Sequence, residues 1–162
     1  MSENYIVING KRTELTEEQL RQLGIEVPKT NPFARVEQYE PFYFINNRGG
    51  VEYGVETQDY RCENLHKVAN YCADRAIMEQ RALHELLSRL LWRYSMEHNG
   101  NENKATKYFV YYSPQVGKWK YDYWAPSTCA VNDIWFDTEE IARKAIVEII
   151  EPFMEAHPEF KW

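Results

Sequence analysis

Four side chains in the middle of the sequence are of the types that bind zinc. They are Cys62, His66, Cys72 and His84. A structural zinc site usually draws its ligands from closely spaced pairs such as C-x2-C. Cys62-x3-His66 is not such a pair, and no second pair follows at a regular spacing. We therefore predict no metal ligands here, with Cys72 packed in the core and His84 partly buried on its helix.

Four carboxylates close to one another near the C-terminus could hold a divalent cation for phosphodiester hydrolysis. They are Asp133, Asp137, Glu139 and Glu140. Two of them are explained by the capping of a helix alone. The sequence has no Walker A loop, G-x-S-x-G elbow, H-E-x-x-H motif or dinucleotide-binding glycine triplet. We predict no catalytic residue and no cofactor, and a small metal-dependent nuclease remains an alternative.

The N-terminal residues predict a β-hairpin followed by a short helix. Tyr5 to Ile8 favour a strand, and Asn9-Gly10 is a preferred type I′ turn. Thr16 and Gln19 form a capping box, and Gly24 is a residue that ends helices.

Prolines set the predicted domain organisation. Pro28, Pro32 and Pro41 interrupt a stretch with little periodicity. We therefore predict an N-terminal hairpin-helix element over 1–27, a linker over 28–41 and a main domain over 42–162.

The main domain contains a weak internal repeat, over 42–98 and 107–156. Each copy has an aromatic strand, a glycine-containing turn, a returning strand, a variable segment and a helix. Because a lone hairpin is marginal in water, each hairpin must pack on a helix. The predicted fold class is α+β, with two ββα-type units that form a mainly antiparallel sheet packed on helices.

The helix predicted from about Asp74 to His98 has one apolar and one charged half. Its charged half carries Arg81, Glu85, Arg89 and Arg93 at i,i+4 spacing, with Trp92 among them. A tryptophan in that position is either covered by a neighbouring loop or serves as a binding anchor. The predicted core face comprises Ile77, Leu83, Leu86, Leu87, Leu90, Leu91 and Tyr94.

The last helix is predicted to begin after Asp137 or Thr138 and to end or bend near Glu151, before Pro152. Its inner stripe is predicted to be Ile141, Ala142, Ala145, Ile149 and Phe153. Its surface is acidic, and clustered carboxylates can imitate a phosphate backbone. The acidic residues predicted to bind a partner are Glu139, Glu140 and Glu148.

The second hairpin combines lysines with aromatic residues. Single-strand binders use this combination, in which bases stack on rings and lysines contact phosphates. The same alternation arises in any sheet that has one face buried and the other in solvent. The residues predicted for the nucleic-acid alternative are Lys107, Lys118, Trp119, Lys120 and Trp124.

Charge and composition narrow the classes of partner. The net charge is −6, and residues 133–162 are the most acidic segment, which argues against broad binding of a phosphate backbone. The odd count of three cysteines and the polar N-terminus are typical of a reducing cytoplasm. No apolar run is long enough to span a bilayer. We therefore expect a soluble cytoplasmic protein with no membrane contact.

Four segments carry a resemblance to a known group of proteins: NPFARV from Asn31, FYFINNRGGVE from Phe42, VANYCADRAIMEQRALHELLSRLLWRYS from Val68 and IWFDTEEIARKAI from Ile134. They resemble a loose family of small phage and prophage proteins from Gram-positive, often gut, bacteria. The sequence departs from the family pattern where Ala73-Asp74 replaces the usual Thr/Asp-x-Glu helix start. The resemblance implies an inhibitor of host defence, such as an anti-CRISPR protein, and it assigns no functional residue.

Together these observations predict a phage-derived, non-enzymatic protein that binds and inhibits a host protein such as a defence nuclease. The predicted anchor is Trp92 with Arg81, Arg89 and Arg93, together with the acidic last helix. A single-stranded nucleic-acid binder is the first alternative, and the small metal-dependent nuclease is the second.

Overall fold

The computed structural model of the chain describes residues 5–8, 11–16, 19, 22–23, 31–100, 106–124 and 134–161. The chain divides into two compact units, residues 1–34 and 35–162. The later part of the segment predicted as a linker, from Arg35 onward, thus belongs to the second unit.

The N-terminal unit contains the predicted hairpin. Strands β1 (Tyr5–Ile8) and β2 (Lys11–Glu14) pair antiparallel. The predicted Asn9-Gly10 turn lies outside the described residues, as does Gly24. The predicted capping box is confirmed, because Thr16 N donates to Gln19 Oε1 at 2.9 Å and Gln19 N donates to Thr16 Oγ1 at 3.3 Å.

In the second unit, strands β3 (Pro41–Ile45) and β4 (Val51–Val55) form the first hairpin. Asn46 closes its turn by accepting hydrogen bonds from Arg48 N and Gly50 N through Oδ1. Gly49 has a φ of +85°, which glycine adopts without a steric penalty. Strands β5 (Lys107–Ser113) and β6 (Lys118–Trp124) form the second hairpin.

The two hairpins have the same relation to the helix that follows. Tyr43 pairs with Cys72 in one copy and Tyr108 pairs with Phe136 in the other, in each case through two backbone hydrogen bonds. Two residues later, Asp74 and Thr138 are the helix N-caps. The α+β class is therefore confirmed. In the described residues the hairpins are separate two-stranded sheets, without a hydrogen-bonded ladder between them.

Two helices follow the first hairpin. Helix α1 (Tyr60–Lys67), which is capped by Asp59, lies in the variable segment of the first copy, where no helix is predicted. Helix α2 (Arg75–His98) matches the predicted range. Of its predicted core face, Leu87, Leu91 and Tyr94 are buried, and Leu83, Leu86 and Leu90 pack against the same cluster. The prediction for Ile77 was wrong: Met78 and Ala82 are buried instead, and Ile77 lies at the exposed margin.

The C-terminal helix changes its pitch in the middle. Helix α3 (Glu139–Ala145) continues into a π-helical segment (Ile146–Ile150) and then into helix α4 (Glu151–Ala156). Pro152 lacks an N–H and its ring would clash with a preceding carbonyl, and the wider π turn accommodates both effects. Among the described residues, no helix has the length and apolar character that a membrane span requires.

The main core lies between α2, the C-terminal helix and the inner face of the second hairpin. It includes Leu87, Tyr94, Phe136, Ile150 and Phe153, all of them buried. Two smaller clusters lie on the two faces of the first hairpin. One contains Phe42, Phe44 and Tyr71, and the other contains Ile45, Cys72 and Met78.

Candidate partner-binding surfaces

Helix α2 exposes two large apolar side chains one turn apart. Trp92 is 58% exposed and Met96 is 63% exposed. Arg89 and Arg93 lie one turn apart beside them, and both are exposed. We call these four residues the Trp92 surface. Met96 was missed by sequence analysis, although its i,i+4 spacing from Trp92 could have indicated it.

The Trp92 surface is held in a fixed orientation by packing on the opposite side of α2. Leu87, Leu91 and Tyr94 are buried in the main core, and packing of this kind restrains the orientation of a helix. Tyr94 is further held by a hydrogen bond that its hydroxyl donates to Glu148 at 3.0 Å. Burial, together with this bond, raises the pKa of Tyr94 to about 12.

Ion pairs along α2 divide the predicted arginines into two groups. Arg81 lies 3.0 Å from Glu85 and also donates to the carbonyl of Ala69, so it is occupied within the fold. Arg89 lies 3.8 Å from Glu85 and Arg93 lies 4.0 Å from Glu97, which are loose contacts between exposed side chains. Only the second group is available to a partner.

The three predicted acidic residues all have partners within the chain. Glu139 accepts a hydrogen bond from the Tyr121 hydroxyl at 2.8 Å, which raises the pKa of Tyr121. Glu140 is 2.9 Å from Lys144, which lowers the pKa of Glu140. Glu148 accepts the bond from Tyr94. These contacts give each carboxylate a role within the fold. Lys144 partly offsets the charge of Glu140, whereas Glu139 and Glu148 keep theirs, because the tyrosine hydroxyls are neutral.

The residues predicted for nucleic-acid binding lie on different faces of the second hairpin. Lys107 is 2.5 Å from Asp137, whose side chain is buried. Trp119 packs against the main core on the inner face. Lys118 and Lys120 are exposed. The side chain of Trp124 lies outside the described residues.

Other aromatic residues accompany these lysines on the outer face of the hairpin. Tyr111 is directly opposite Lys120 in the strand register. The Phe109 ring lies 5.8 Å from that of Tyr111 and 5.7 Å from that of Trp135. Neither Phe109 nor Tyr111 belongs to the main core. Strand alternation was the signal that could have identified them.

The residues considered as zinc ligands lie in different environments. Cys62 is buried, and its thiol contacts Thr57 and the carbonyl of Val55. Cys72 is fully buried, as predicted, and burial raises the pKa of its thiol. The His84 ring packs against Phe160, with its Nε2 3.1 Å from the carbonyl of Lys161. The described residues contain no group of three potential metal ligands.

The carboxylates considered for a nuclease are also separated by their contacts. Asp137 pairs with Lys107, and Glu139 and Glu140 have the partners given above. Asp133 lies outside the described residues. The carboxylates that are described therefore face different partners rather than a common point.

The second unit contains a buried ionic network that was not predicted from the sequence. Glu56 is fully buried and accepts hydrogen bonds from Arg35, from the Tyr71 hydroxyl and from Gln58 N. The hydrogen bonds from Arg35 lower the pKa of Glu56 to about 2, and burial raises the pKa of Tyr71 to about 12. The network attaches the segment after residue 34 to the first hairpin.

An open groove of about 720 Å³ lies between the first hairpin turn, α2 and the C-terminal residues. Its lining includes the apolar residues Val51, Leu83 and Leu86. Of its acidic lining residues, Glu79 pairs with Arg75 and Glu159 lies 3.5 Å from His157. These acidic groups thus have separate partners.

Comparisons of the chain with protein-family models, with curated proteins and with solved structures find no match. The assignment of a function therefore depends on the surfaces described above.

Proposed function

We propose that this chain is a non-enzymatic binding protein that contacts a partner protein through the Trp92 surface. The observation that carries the proposal is the exposure of Trp92 and Met96 one turn apart on a helix whose other side is buried. Tryptophan, methionine and arginine are enriched at protein interfaces, and tryptophan and arginine are the commonest residues at which truncation weakens binding.

The composition of the Trp92 surface favours a protein partner over a small ligand. The side chains project from one exposed face of α2, whereas small ligands bind in concave sites. Arg89 and Arg93 can exchange their loose contacts with Glu85 and Glu97 for carboxylates of a partner. A partner with an apolar pocket bordered by acidic residues would complement this surface.

The resemblance to phage accessory proteins extends the proposal to the identity of the partner. On that basis, the partner is a host protein in the host cytoplasm, such as a defence nuclease, and binding inhibits it. The inhibition would be steric, because the Trp92 surface contains no reactive group.

The proposal can be tested by affinity capture from host-cell lysate with quantitative mass spectrometry. Three baits are compared: the native chain, Trp92→Ala and Tyr60→Ala. Tyr60 is a matched control, since it is an aromatic residue on another helix and is 76% exposed. We expect a host protein that the native chain and Tyr60→Ala capture equally and that Trp92→Ala captures at least about tenfold less. Equal capture by all three baits would refute the role of Trp92.

A further inference from the structure

The outer face of the second hairpin contains a second surface, distinct from the Trp92 surface. It combines the rings of Phe109 and Tyr111 with the exposed side chains of Lys118 and Lys120. These four residues are called the outer-face surface below. We propose that this surface binds single-stranded nucleic acid without sequence preference.

The internal repeat allows the outer face of the second hairpin to be compared with the equivalent face of the first hairpin. Tyr43 corresponds to Tyr108 through the shared bridge, so that Phe44 corresponds to Phe109. Phe44 is buried in a cluster with Cys62, and Leu65 packs against the same cluster; both of these residues belong to α1. In the described part of the second copy, no helix lies over Phe109 and Tyr111. Phe109, the equivalent of the buried Phe44, is half-buried on this face, beside Tyr111, which takes the place of Asn46 and is also half-buried.

The charge of the hairpin favours a phosphate-bearing occupant. Between residues 108 and 121, Lys118 and Lys120 are the only charged residues. They lie at the turn end of the hairpin, directly opposite Ser113 and Tyr111. The one carboxylate on this face of β6, Asp122, is opposite Phe109, farther from the turn. In a chain with a net charge of −6, this turn end is locally basic.

The arrangement of rings and lysines fits a single strand rather than a duplex. Phe109 and Tyr111 are half-buried, and the uncovered part of each ring can stack on an unpaired base, because the faces of unpaired bases are accessible and those of bases in a duplex are not. Two lysines can neutralise two adjacent phosphates, but they are too few to hold the backbone of a duplex. The absence of any aligned set of amide or guanidinium groups on these four residues argues against reading of base identity.

Fluorescence anisotropy with a fluorescein-labelled oligo-dT or oligo-U strand tests this proposal. We expect the native chain to bind at low salt and to lose affinity as salt rises. Tyr111→Ala should weaken binding about tenfold through the loss of one stacked base. Lys118→Gln and Lys120→Gln should each reduce the slope of log K against log salt by about 0.7.

Two variants act as controls in the same assay. Tyr123→Ala removes a ring from the inner face of the same hairpin, where Tyr123 is 65% exposed and opposite Tyr108. Lys67→Gln removes an exposed lysine on α1. Both should bind like the native chain. The proposal is overturned if the native chain binds neither strand, if a duplex binds more tightly than either strand, or if the controls weaken binding as much as Tyr111→Ala does. Because the Trp92 surface is untouched by these variants, the capture experiment is an independent test.

Discussion

Glu56 is the residue whose environment departs most from the ordinary behaviour of its type. A carboxylate is rarely buried without partners, and here Arg35, Tyr71 and Gln58 N provide them. Nothing local in the sequence distinguishes Glu56 from the neighbouring exposed acids, since its partners lie up to 21 positions away. For this reason the network could not be predicted from the sequence.

Replacing Glu56 with Gln should lower the free energy of unfolding by about 3 kcal/mol at neutral pH, because a fully buried amide has one acceptor oxygen for donors that the two carboxylate oxygens of Glu56 now satisfy. The folded-state pKa of Glu56, at about 2, lies below its usual value of 4.5. A group with a depressed pKa stabilises the fold above its unfolded-state pKa and loses this contribution as pH falls towards the folded-state value.

Urea unfolding of the native chain and of Glu56→Gln therefore has a defined pH dependence. The difference between them should be constant above about pH 5.5 and should shrink to less than about half by pH 3. A difference that does not change over this interval would show that the charge of Glu56 is not its source.

Gly54 makes a second prediction at the scale of single residues. A Cβ atom at this position would lie 2.6 Å from Cζ of Phe42, a buried ring. We expect Gly54→Ala to destabilise the chain by about 1–3 kcal/mol through overpacking. Gly50→Ala is the matched control, since its nearest contact would be the Asn46 side chain at 3.6 Å. Thermal unfolding should therefore separate the two variants, and similar midpoints would contradict the packing described for Phe42.

Individual exposed residues were predictable to different degrees. The position of Trp92 among charged residues follows from the helical period alone, and its side chain is exposed accordingly. The hydrogen bond from Tyr94 to Glu148 joins two residues that are 54 positions apart in the sequence. It forms only because their helices pack together. Helical period can place a residue on a face, but it cannot show whether another element contacts it.

At the scale of elements, the best-predicted features are those set by local chemistry. The capping box at Thr16 and the start of α2 both depend on contacts within three residues. Helix α1 was not predicted because its sequence, YRCENLHK, is short and mainly polar, so that it contains too few apolar residues to show a helical period. The alternative for the last helix is resolved, because Thr138 is its N-cap through a bond from Ile141 N at 3.2 Å.

The π-helical segment explains why the inner stripe of the last helix was only partly predicted. Ala142, Ala145 and Phe153 are buried as predicted, whereas Ile141 and Ile149 are half-buried. Ile150 is fully buried and was not predicted. A π turn adds a residue to the helical repeat and shifts the following face by about one position. Pro152 indicated where the last helix is irregular, but it did not indicate that the irregularity is a π-helical segment.

The cap of α2 allows a direct test at this scale. The Asp74 side chain accepts hydrogen bonds from Ala76 N at 2.8 Å and Ile77 N at 3.2 Å. Asp74→Ala should therefore lower the free energy of unfolding by about 1 kcal/mol, and Asp74→Asn should retain most of it, because asparagine is an equally good N-cap. Chemical denaturation measures both variants. Equal losses would indicate that the charge of Asp74, and not its capping bonds, provides the stability.

At the scale of the whole molecule, the repeat was visible in the sequence, but the arrangement of its sheets was not. Aromatic strands and glycine turns predicted both hairpins, and the bridges at Cys72 and Phe136 give them the same relation to their helices. Two hairpins form one sheet only if an edge strand of one hydrogen-bonds to an edge strand of the other. The residue patterns of these strands are compatible both with one joined sheet and with two separate sheets. In the structure, each hairpin instead packs its inner side on helices.

The division between the two units predicts where the chain can be shortened. A chain of residues 35–162 should keep a cooperative unfolding transition, because it contains the three core clusters found among the described residues and the Arg35–Glu56 pair. A chain of residues 41–162 removes Arg35 and leaves Glu56 buried without its cation, and it also loses Val36 and the backbone hydrogen bonds of Glu56 with Tyr39 and Glu40. It should be less stable by at least about 3 kcal/mol. Circular dichroism during urea unfolding provides the measurement, and equal stability of the two chains would contradict the place given to Arg35.

The central claim is that the Trp92 surface contacts a partner protein, and photo-crosslinking from that surface tests it most directly. A benzophenone amino acid is placed at Met96, beside Trp92, and in a second chain at Tyr60, which is similarly exposed on α1. After irradiation in host cells, we predict a covalent adduct of one defined mass from position 96 and none from position 60. Adducts of the same mass from both positions, or no adduct from position 96, would contradict the claim.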